Sequence, residues 1–283
     1  MIGDGPVEVA ADQPLPAELA AGDIVHAGTI AVEVPQPGET VTITVEDDHG
    51  GSAELSISNP LVGRVAIVTR APETGPVVIA AGATGACQDG AYNLQGHRWT
   101  SPYQWRFQAG STPSANSKDN VEAGLIRAAN SITLSRNDCG LADQVSATHQ
   151  YLGRTTTPPN IASRDGTVTC GARDSLNTVG FGGLPTGVLG VACSWTDGTG
   201  TALEGDVRLT TRYAWYAEGV PAGCSNRYGV QPVATHELGH VFGLAHVSES
   251  THPNLTMSTA TAPCTNAGYT LGLGDVRALR QLY

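Results

Sequence analysis

Apolar and polar residues alternate along several short segments within the first eighty residues of the chain. The alternation predicts strands over residues 23–34, 40–46, 53–58, 62–69 and 76–81, because successive side chains of a strand point to opposite faces. Segments rich in Pro, Gly and Asp separate these runs and predict turns. Residues 1–84 are therefore expected to form a small all-β domain, either a sandwich or a barrel.

The later part of the chain mixes helical and strand patterns. Strands are predicted over residues 103–109, 187–195 and 206–215. An amphipathic helix is predicted over 121–132, and two further helices over 231–242 and 275–282, the last capped by Asp275. This order predicts an α+β domain over residues 85–283, with a twisted mixed sheet before the second helix.

Three histidines and one glutamate stand in the second predicted helix and just after it, in the segment HELGHVFGLAH. His236 and His240 are four residues apart, so they project from one face of a helix. Gly243 permits a sharp turn at the helix end, and the turn brings His246 to the same point. Three imidazoles suit one tetrahedral zinc ion with an open fourth position. They leave Glu237 free to take a proton from water.

The alternative for this segment is a surface helix that happens to be rich in histidine. Leu238, Val241, Phe242 and Leu244 give the helix an apolar side, which favours burial. We therefore interpret the segment as a buried metal-binding helix.

The segment HELGHVFGLAH resembles the HExxHxxGxxH pattern of the metzincin metallopeptidases. Met257, in LTMST, resembles the methionine of the family's tight Met-turn, with a gap-filling core methionine as the alternative. The ending LGLGDVRALRQLY is similar to the C-terminal helix of matrixins, and NTVGFGGLPTGVLGVACSW is similar to their substrate-side edge strand. The likeness covers residues 87–283 and is strongest to matrixin-like secreted bacterial enzymes of the actinobacterial type.

The resemblance implies a zincin catalytic domain with an active-site helix, a Met-turn and a C-terminal helix. It implies a secreted zinc endopeptidase in which His236, His240 and His246 hold one catalytic zinc and Glu237 is the general base. The family's edge strand binds the substrate backbone antiparallel. Here that role would fall to four residues, for which an ordinary interior strand is the alternative: Leu189, Gly190, Val191 and Ala192.

Five positions depart from particular branches of the family. Val247 follows the third histidine, and Ser248 lies one place later than the matrixin serine. Thr259 stands where astacin-like and serralysin-like enzymes have a tyrosine. Neither His97 nor His149 begins the His-x-Asp segment of a second, structural zinc. The subfamily therefore stays open, and one zinc is predicted.

The net charge and the cysteine content limit the possible classes of binding partner and the possible cellular compartment. The formal net charge of −11 argues against a nucleic acid or an anionic membrane as partner, and no run is long enough to span a membrane. A protein or peptide substrate and a monomeric chain are expected. The start MIGDGPVEVAADQP shows no signal-peptide pattern, so the extracellular location is inferred from the resemblance and the cysteines.

Six dispersed cysteines without CxxC spacing predict disulfides formed in an oxidising compartment. Six cysteines allow fifteen pairings, and free buried thiols are the alternative. We predict that neighbours in sequence pair. The predicted pairs are Cys87 with Cys139, Cys170 with Cys193, and Cys224 with Cys264.

Two roles are open for the N-terminal domain: an accessory binding or scaffolding module, which we favour, and a propeptide that blocks the cleft. A cysteine-switch propeptide needs an upstream thiol, and no cysteine precedes Cys87. For the whole chain, the alternatives to an enzyme are a catalytically silent zinc-binding adhesin on the same fold and a binding function carried by the N-terminal domain. Asp47, Asp48 and the turn at 197–200 are interpreted as solvated turns, so calcium binding has no support.

Overall fold

The structure is a computed structural model that describes residues 7–8, 19–48, 52–70 and 84–283. The strands of the first part are β1 (Val7–Glu8), β2 (Ile24–Ala27), β3 (Ile30–Glu33), β4 (Glu39–Asp47), β5 (Ser52–Asn59) and β6 (Ala66–Arg70). The later strands are β7 (Asn93–Leu94), β8 (Tyr103–Phe107), β9 (His149–Arg154), β10 (Ile161–Arg164), β11 (Thr167–Cys170), β12 (Asn177–Gly182), β13 (Val188–Asp197), β14 (Ala202–Thr210), β15 (Ala214–Tyr216), β16 (Arg227–Gly229) and β17 (Leu244–Ala245). The helices are α1 (Lys118–Thr133), α2 (Val230–Val241) and α3 (Leu273–Leu282), with a short 3-10 helix at Ala109–Ser111.

The largest sheet has eight strands drawn from both parts of the chain, in the order β6-β5-β4-β13-β14-β12-β8-β9. Strand β4 runs antiparallel to β13, from Glu39 opposite Asp197 to Asp47 opposite Val188. Strand β14 pairs with the other edge of β13. A five-stranded sheet, β1-β2-β3-β11-β10, also mixes early and late strands. The expected all-β N-terminal domain is therefore not confirmed as a separate unit.

Two hydrophobic cores lie on opposite sides of the large sheet. One core joins helices α1, α2 and α3 to strands β8, β12 and β14, and it includes Trp105, Leu125 and Phe242. The other core lies between the two sheets, where Ile43 of β4 packs with Trp195 of β13 and their neighbours. Early and late strands thus bury apolar surface against each other, which stabilises their association by roughly 1.5–3 kcal/mol for each large side chain.

The predicted α+β character agrees with this mixed sheet and with the three α-helices of the described residues. Helix α2 begins one residue before the predicted 231–242 segment, and the predicted strand over 206–215 splits into β14 and β15. The predicted strand over 76–81 lies outside the described residues. Among the residues described, no helix has both the length and the apolar character that a membrane span requires.

The three predicted disulfides are the ones present in the structure. Cys87 pairs with Cys139, Cys170 with Cys193, and Cys224 with Cys264. The second of these bonds joins β11 in the five-stranded sheet to β13 in the eight-stranded sheet. The third links the chain before α2 to the chain after Met257.

Candidate metal centre

Helix α2 carries two of the three histidines and is buried along its whole length. Gly243 has a φ of +92° and reverses the chain just after the helix. Strand β17 follows and pairs with β7, which places His246 beside His236 and His240. The Nε2 atoms of the three histidines lie 2.9–3.0 Å from one another.

The outer ring nitrogens of His236 and His240 face backbone carbonyls. Nδ1 of His236 lies 2.8 Å from the Thr256 carbonyl oxygen, and Nδ1 of His240 lies 2.9 Å from that of Leu244. A carbonyl can only accept, so each Nδ1 carries the proton and each Nε2 presents a lone pair. Burial lowers the pKa of His236 to about 4 and that of His240 well below its usual range, so both rings are neutral at pH 7.

These nitrogens fit a zinc ion. The Nε2 lone pairs of His236 and His240 point at each other and at Nε2 of His246, and lone pairs placed so closely repel one another unless a cation lies among them. Three histidine nitrogens bind Zn²⁺ at ~2.0–2.1 Å in catalytic sites of this composition. His236, His240 and His246 would hold the ion, and the backbone carbonyls at the two Nδ1 atoms would keep the rings oriented.

Glu237 lies beside the histidines and is fully buried. Neither of its carboxylate oxygens has a hydrogen-bond partner within the described part of the chain. Burial raises the pKa of Glu237 well above its usual range, and the nearby Glu46 adds to the shift. A Cβ at Gly190 of β13 would lie 2.2 Å from the Glu237 Oε1 atom, so the glycine leaves room for the carboxylate.

The turn containing Met257 packs against α2. Met257 is buried, and a Cβ on Gly239 would lie 2.4 Å from its sulfur atom, so the glycine makes room for the methionine. Asp275 of α3 accepts hydrogen bonds from the backbone N–H groups of Thr256, Met257 and Gly272, at 2.9, 3.2 and 2.8 Å. Gly272, rather than Asp275, is the N-cap of α3. The Asp275 carboxylate therefore anchors the turn, a role that its place in the sequence did not indicate.

Strand β4 passes near the metal centre, with β13 along one edge and β5 along the other. Glu46 of β4 stands opposite Gly190 in the antiparallel ladder. The next residue, Asp47, forms an isolated parallel bridge with Ala260. The early strand is thus held by backbone pairing on both of its sides.

The Glu46 side chain is fully buried. Ligand atoms of Glu46, His236 and Glu237 all lie within 4.8 Å of one another. Burial raises the pKa of Glu46 to about 8, and the nearby Thr261 side chain opposes part of this rise. Within the described residues, no donor meets hydrogen-bond geometry at either carboxylate oxygen. The sequence pattern gave no signal for this residue beyond its place at the end of a predicted strand.

The prediction of a substrate-binding edge strand needs correction. Leu189, Gly190, Val191 and Ala192 lie in β13, which has β14 on one side and β4 on the other. The backbone N–H and C=O groups of β13 therefore already pair with those of β4 and β14. In this structure β13 is an ordinary interior strand, which was the alternative interpretation of these residues.

A cavity of about 420 Å³ opens beside the half-buried His246. Ser52 and Glu54 of β5 form one wall, and Asn93 and Thr259 lie on its other sides. The Asn93 side chain donates a hydrogen bond of 2.8 Å to the His246 carbonyl oxygen. The cavity gives small molecules an approach to the third histidine.

The other residues named from the sequence have hydrogen-bond partners outside the three histidines. His97 is buried, with Nε2 3.2 Å from the Val241 carbonyl oxygen, and Nε2 of His149 lies 3.2 Å from the Asn130 side chain. Asp197 accepts hydrogen bonds within its own turn, and Asp48 accepts one from the Tyr213 hydroxyl at 2.6 Å. Val247 donates its N–H to the Met257 carbonyl oxygen. The Ser248 hydroxyl forms a hydrogen bond with the Ser250 hydroxyl. The Thr259 hydroxyl accepts a hydrogen bond from the Glu249 N–H.

Residues 164–283 match the matrixin family of peptidases. The matched region contains the three histidines, Glu237 and Met257, and it supports a metzincin-like protease, as the sequence resemblance predicted. The match suggests zinc-dependent endopeptidase activity. Strands β1 to β10, including Glu46, lie largely or wholly before the matched region. A comparison with curated proteins gives no match to the chain.

Proposed function

We propose that the chain is a secreted zinc endopeptidase in which His236, His240 and His246 hold the metal and Glu237 is the general base. The observation that carries this proposal is the convergence of three Nε2 atoms beside a buried carboxylate without a hydrogen-bond donor. A carboxylate without a hydrogen-bond donor is costly to bury. A purely structural zinc site has no use for it, whereas a hydrolytic site needs a proton acceptor there.

The side chains around the centre have separate tasks in this proposal. When bound, zinc would polarise the peptide carbonyl and lower the pKa of water, as in other zinc hydrolases. Glu237 takes a proton from the attacking water and returns it to the leaving nitrogen. The Thr256 and Leu244 carbonyls fix the rings of His236 and His240. Met257 supports α2 at Gly239 without providing a ligand.

The disulfides support secretion of the protein. All six cysteines are paired in three disulfides, and such bonds persist in oxidising environments such as the extracellular space. The predicted substrate is a protein or peptide.

The test measures zinc binding and peptide cleavage on the same samples. Strand β4 covers β13 and precedes residues 71–83 in the chain. A recognition sequence for a specific protease is therefore introduced within residues 71–83. The chain is assayed both intact and after that protease has cut it. We expect His240→Ala to lose zinc. Glu237→Ala should keep zinc while chelator-sensitive cleavage falls by about 10²- to 10⁴-fold. The exposed Glu218→Ala serves as the control and should match the wild type.

Two outcomes would oppose the proposal. Undiminished cleavage by Glu237→Ala would exclude this residue as the base. A zinc-loaded chain that cleaves no member of a peptide library, intact or cut, would favour the catalytically silent zinc-binding module instead.

A further inference from the structure

The cavity beside His246 has one wall that comes from the early strands of the chain. Ser52 and Glu54 of β5 form this wall, and Tyr92 and Asn93 line the cavity on another side. Strand β5 lies wholly before the region that matches the matrixin family. The character of this wall therefore belongs to the present chain and does not follow from the family match.

Backbone pairing holds both walls of the cavity in place. Glu54 stands opposite Thr44 of β4 in an antiparallel ladder. On the other side, Tyr92 directly precedes β7, which pairs with β17, and the Asn93 side chain is bonded to the His246 carbonyl oxygen. The Glu54 and Tyr92 side chains are therefore attached to rigid elements near the third histidine, as residues that select a substrate must be.

The charged groups around the cavity are predominantly acidic. Glu54 is buried in the wall, and none of the described residues that line the cavity is a lysine or an arginine. His252 also lines the cavity, but its Nδ1 atom lies 2.9 Å from a carboxylate oxygen of the buried Asp89. The Asp89 charge therefore balances that of a protonated His252 ring. A cationic side chain is the substrate group that this cavity attracts most strongly.

Glu54 and Tyr92 offer two different attractions to a cation. An ionised carboxylate accepts about four hydrogen bonds, so Glu54 can bind a substrate cation in addition to its contacts within the fold. Hydrogen bonds between two charged groups are roughly twice as strong as those between neutral groups. Tyr92 is 40% exposed, and the face of an aromatic ring attracts an ammonium or guanidinium group within about 6 Å.

We propose that Glu54 and Tyr92 form a specificity pocket for a lysine or arginine side chain of the substrate, close to the bond that is cleaved. The proposal rests on the proposed function, because it takes the three histidines as the place of cleavage. Strand β5 is then part of the substrate site, and the substrate approaches from the His246 side instead of pairing with β13. The net charge of −11 also draws cationic peptides towards the chain.

Pairs of synthetic peptides test the pocket in the full zinc-loaded chain. Each pair has an otherwise neutral sequence with either lysine or norleucine, its uncharged analogue, at one position, and the position varies from pair to pair. We expect one position at which the wild type cleaves the lysine peptide with a kcat/KM roughly tenfold or more above that of the norleucine peptide. Glu54→Gln should reduce this ratio to about threefold or less.

Two further variants accompany Glu54→Gln. Glu218→Gln removes the same charge from an exposed position and should keep the ratio of the wild type. Tyr92→Ala should lower the ratio by about two- to fivefold, which is the size of a cation–π contact at an exposed site. Because Tyr92 is partly exposed, its replacement carries the test if Glu54→Gln fails to fold.

The outcomes separate this proposal from the proposed function. Cleavage without preference for lysine at any position, or an equal preference in the wild type and Glu54→Gln, would overturn the pocket alone. Cleavage that begins only after residues 1–70 have been cut off and removed would also overturn the pocket alone, since Glu54 is then absent. A zinc-loaded chain that cleaves no peptide, intact or cut, would overturn the proposed function and the pocket with it.

Discussion

Gly243→Ala should weaken the fold and the metal centre together. Gly243 has a φ of +92° in the turn between α2 and His246. A Cβ at this position would lie 2.1 Å from the carbonyl oxygen of His97 and 3.0 Å from a methyl group of Leu282. The oxygen belongs to the backbone and cannot rotate away. The chain must therefore move by roughly 1 Å to restore a van der Waals contact.

Two costs contribute to the loss of stability. A left-handed conformation costs an alanine about 1–2 kcal/mol. Forcing an additional carbon into a packed site costs about 1–3 kcal/mol more. Gly153→Ala isolates the first cost, because Gly153 has the same φ of +92° and no atom within 4 Å of its would-be Cβ. We expect a loss of about 2–5 kcal/mol for Gly243→Ala and about 1–2 kcal/mol for Gly153→Ala.

Urea denaturation of the metal-free chain measures these free energies, and competition with a chelator measures zinc affinity. Movement of the turn displaces His246, so Gly243→Ala should bind zinc about 10- to 100-fold more weakly. Gly153→Ala should bind it as the wild type does. Equal destabilisation by the two substitutions, or unchanged zinc affinity in Gly243→Ala, would refute the argument from the His97 contact.

The remaining predictions concern packing, covalent links and pH. Met257→Ala leaves a cavity against α2 and should cost about 2–5 kcal/mol in urea denaturation, whereas Met257→Leu should cost less than about 1.5 kcal/mol; equal losses would exclude a packing role. Replacing both Cys224 and Cys264 with serine opens a loop with a sequence separation of 40 residues and should cost about 4 kcal/mol by chain entropy; an unchanged urea midpoint would contradict this. Burial raises the pKa of Glu204 from 4.5 to about 7, so its stabilising contribution is complete below pH 4.5 and is lost as the pH rises through about 7. Asp206 is shifted upwards by burial as well and acts in the same direction. The neutral, buried histidines act in the opposite direction, so the test compares two proteins: between pH 5 and 8 the melting temperature of the wild type should decrease relative to that of Glu204→Gln; identical pH profiles would remove Glu204 as a cause.

The metal centre could be predicted from sequence because its parts are local. His236 and His240 lie one helical turn apart, and Gly243 and His246 follow within six residues of His240. The geometry is then a consequence of one helix and one turn. The disulfides could be paired as neighbours in sequence for a similar reason, since each bond closes a loop of modest length.

The place of β4 could not be predicted in the same way. Alternation correctly indicated a strand over residues 40–46, but it does not say which strand lies beside it. Its partner β13 begins more than a hundred residues later, so no local signal connects Glu46 with Gly190. Apolar residues in β4 therefore suggested a domain of their own, although they pack against Trp195 of β13.

Several strands between α1 and β13 were also missed. Strands β9 to β12 are short, and β9 and β10 are only partly buried, so the apolar periodicity that marks a strand is weak in them. The role of Asp275 was hidden for a different reason. An acidic residue in the first turn of a helix has a sufficient local explanation, and its bonds to the Met257 turn become visible only in three dimensions.

The pairing of β4 with β13 also affects the tendency of the chain to aggregate. Without β4, the edge of β13 from Val188 to Asp197 would present a long row of unpaired backbone groups beside the apolar side chain of Trp195. Long, flat and apolar edges recruit strands from other molecules and lead to aggregation. Strand β4 covers that edge with its own backbone and so removes it as a site for association. A chain that lacks it should remain soluble only while a substrate or a strand-like inhibitor covers β13.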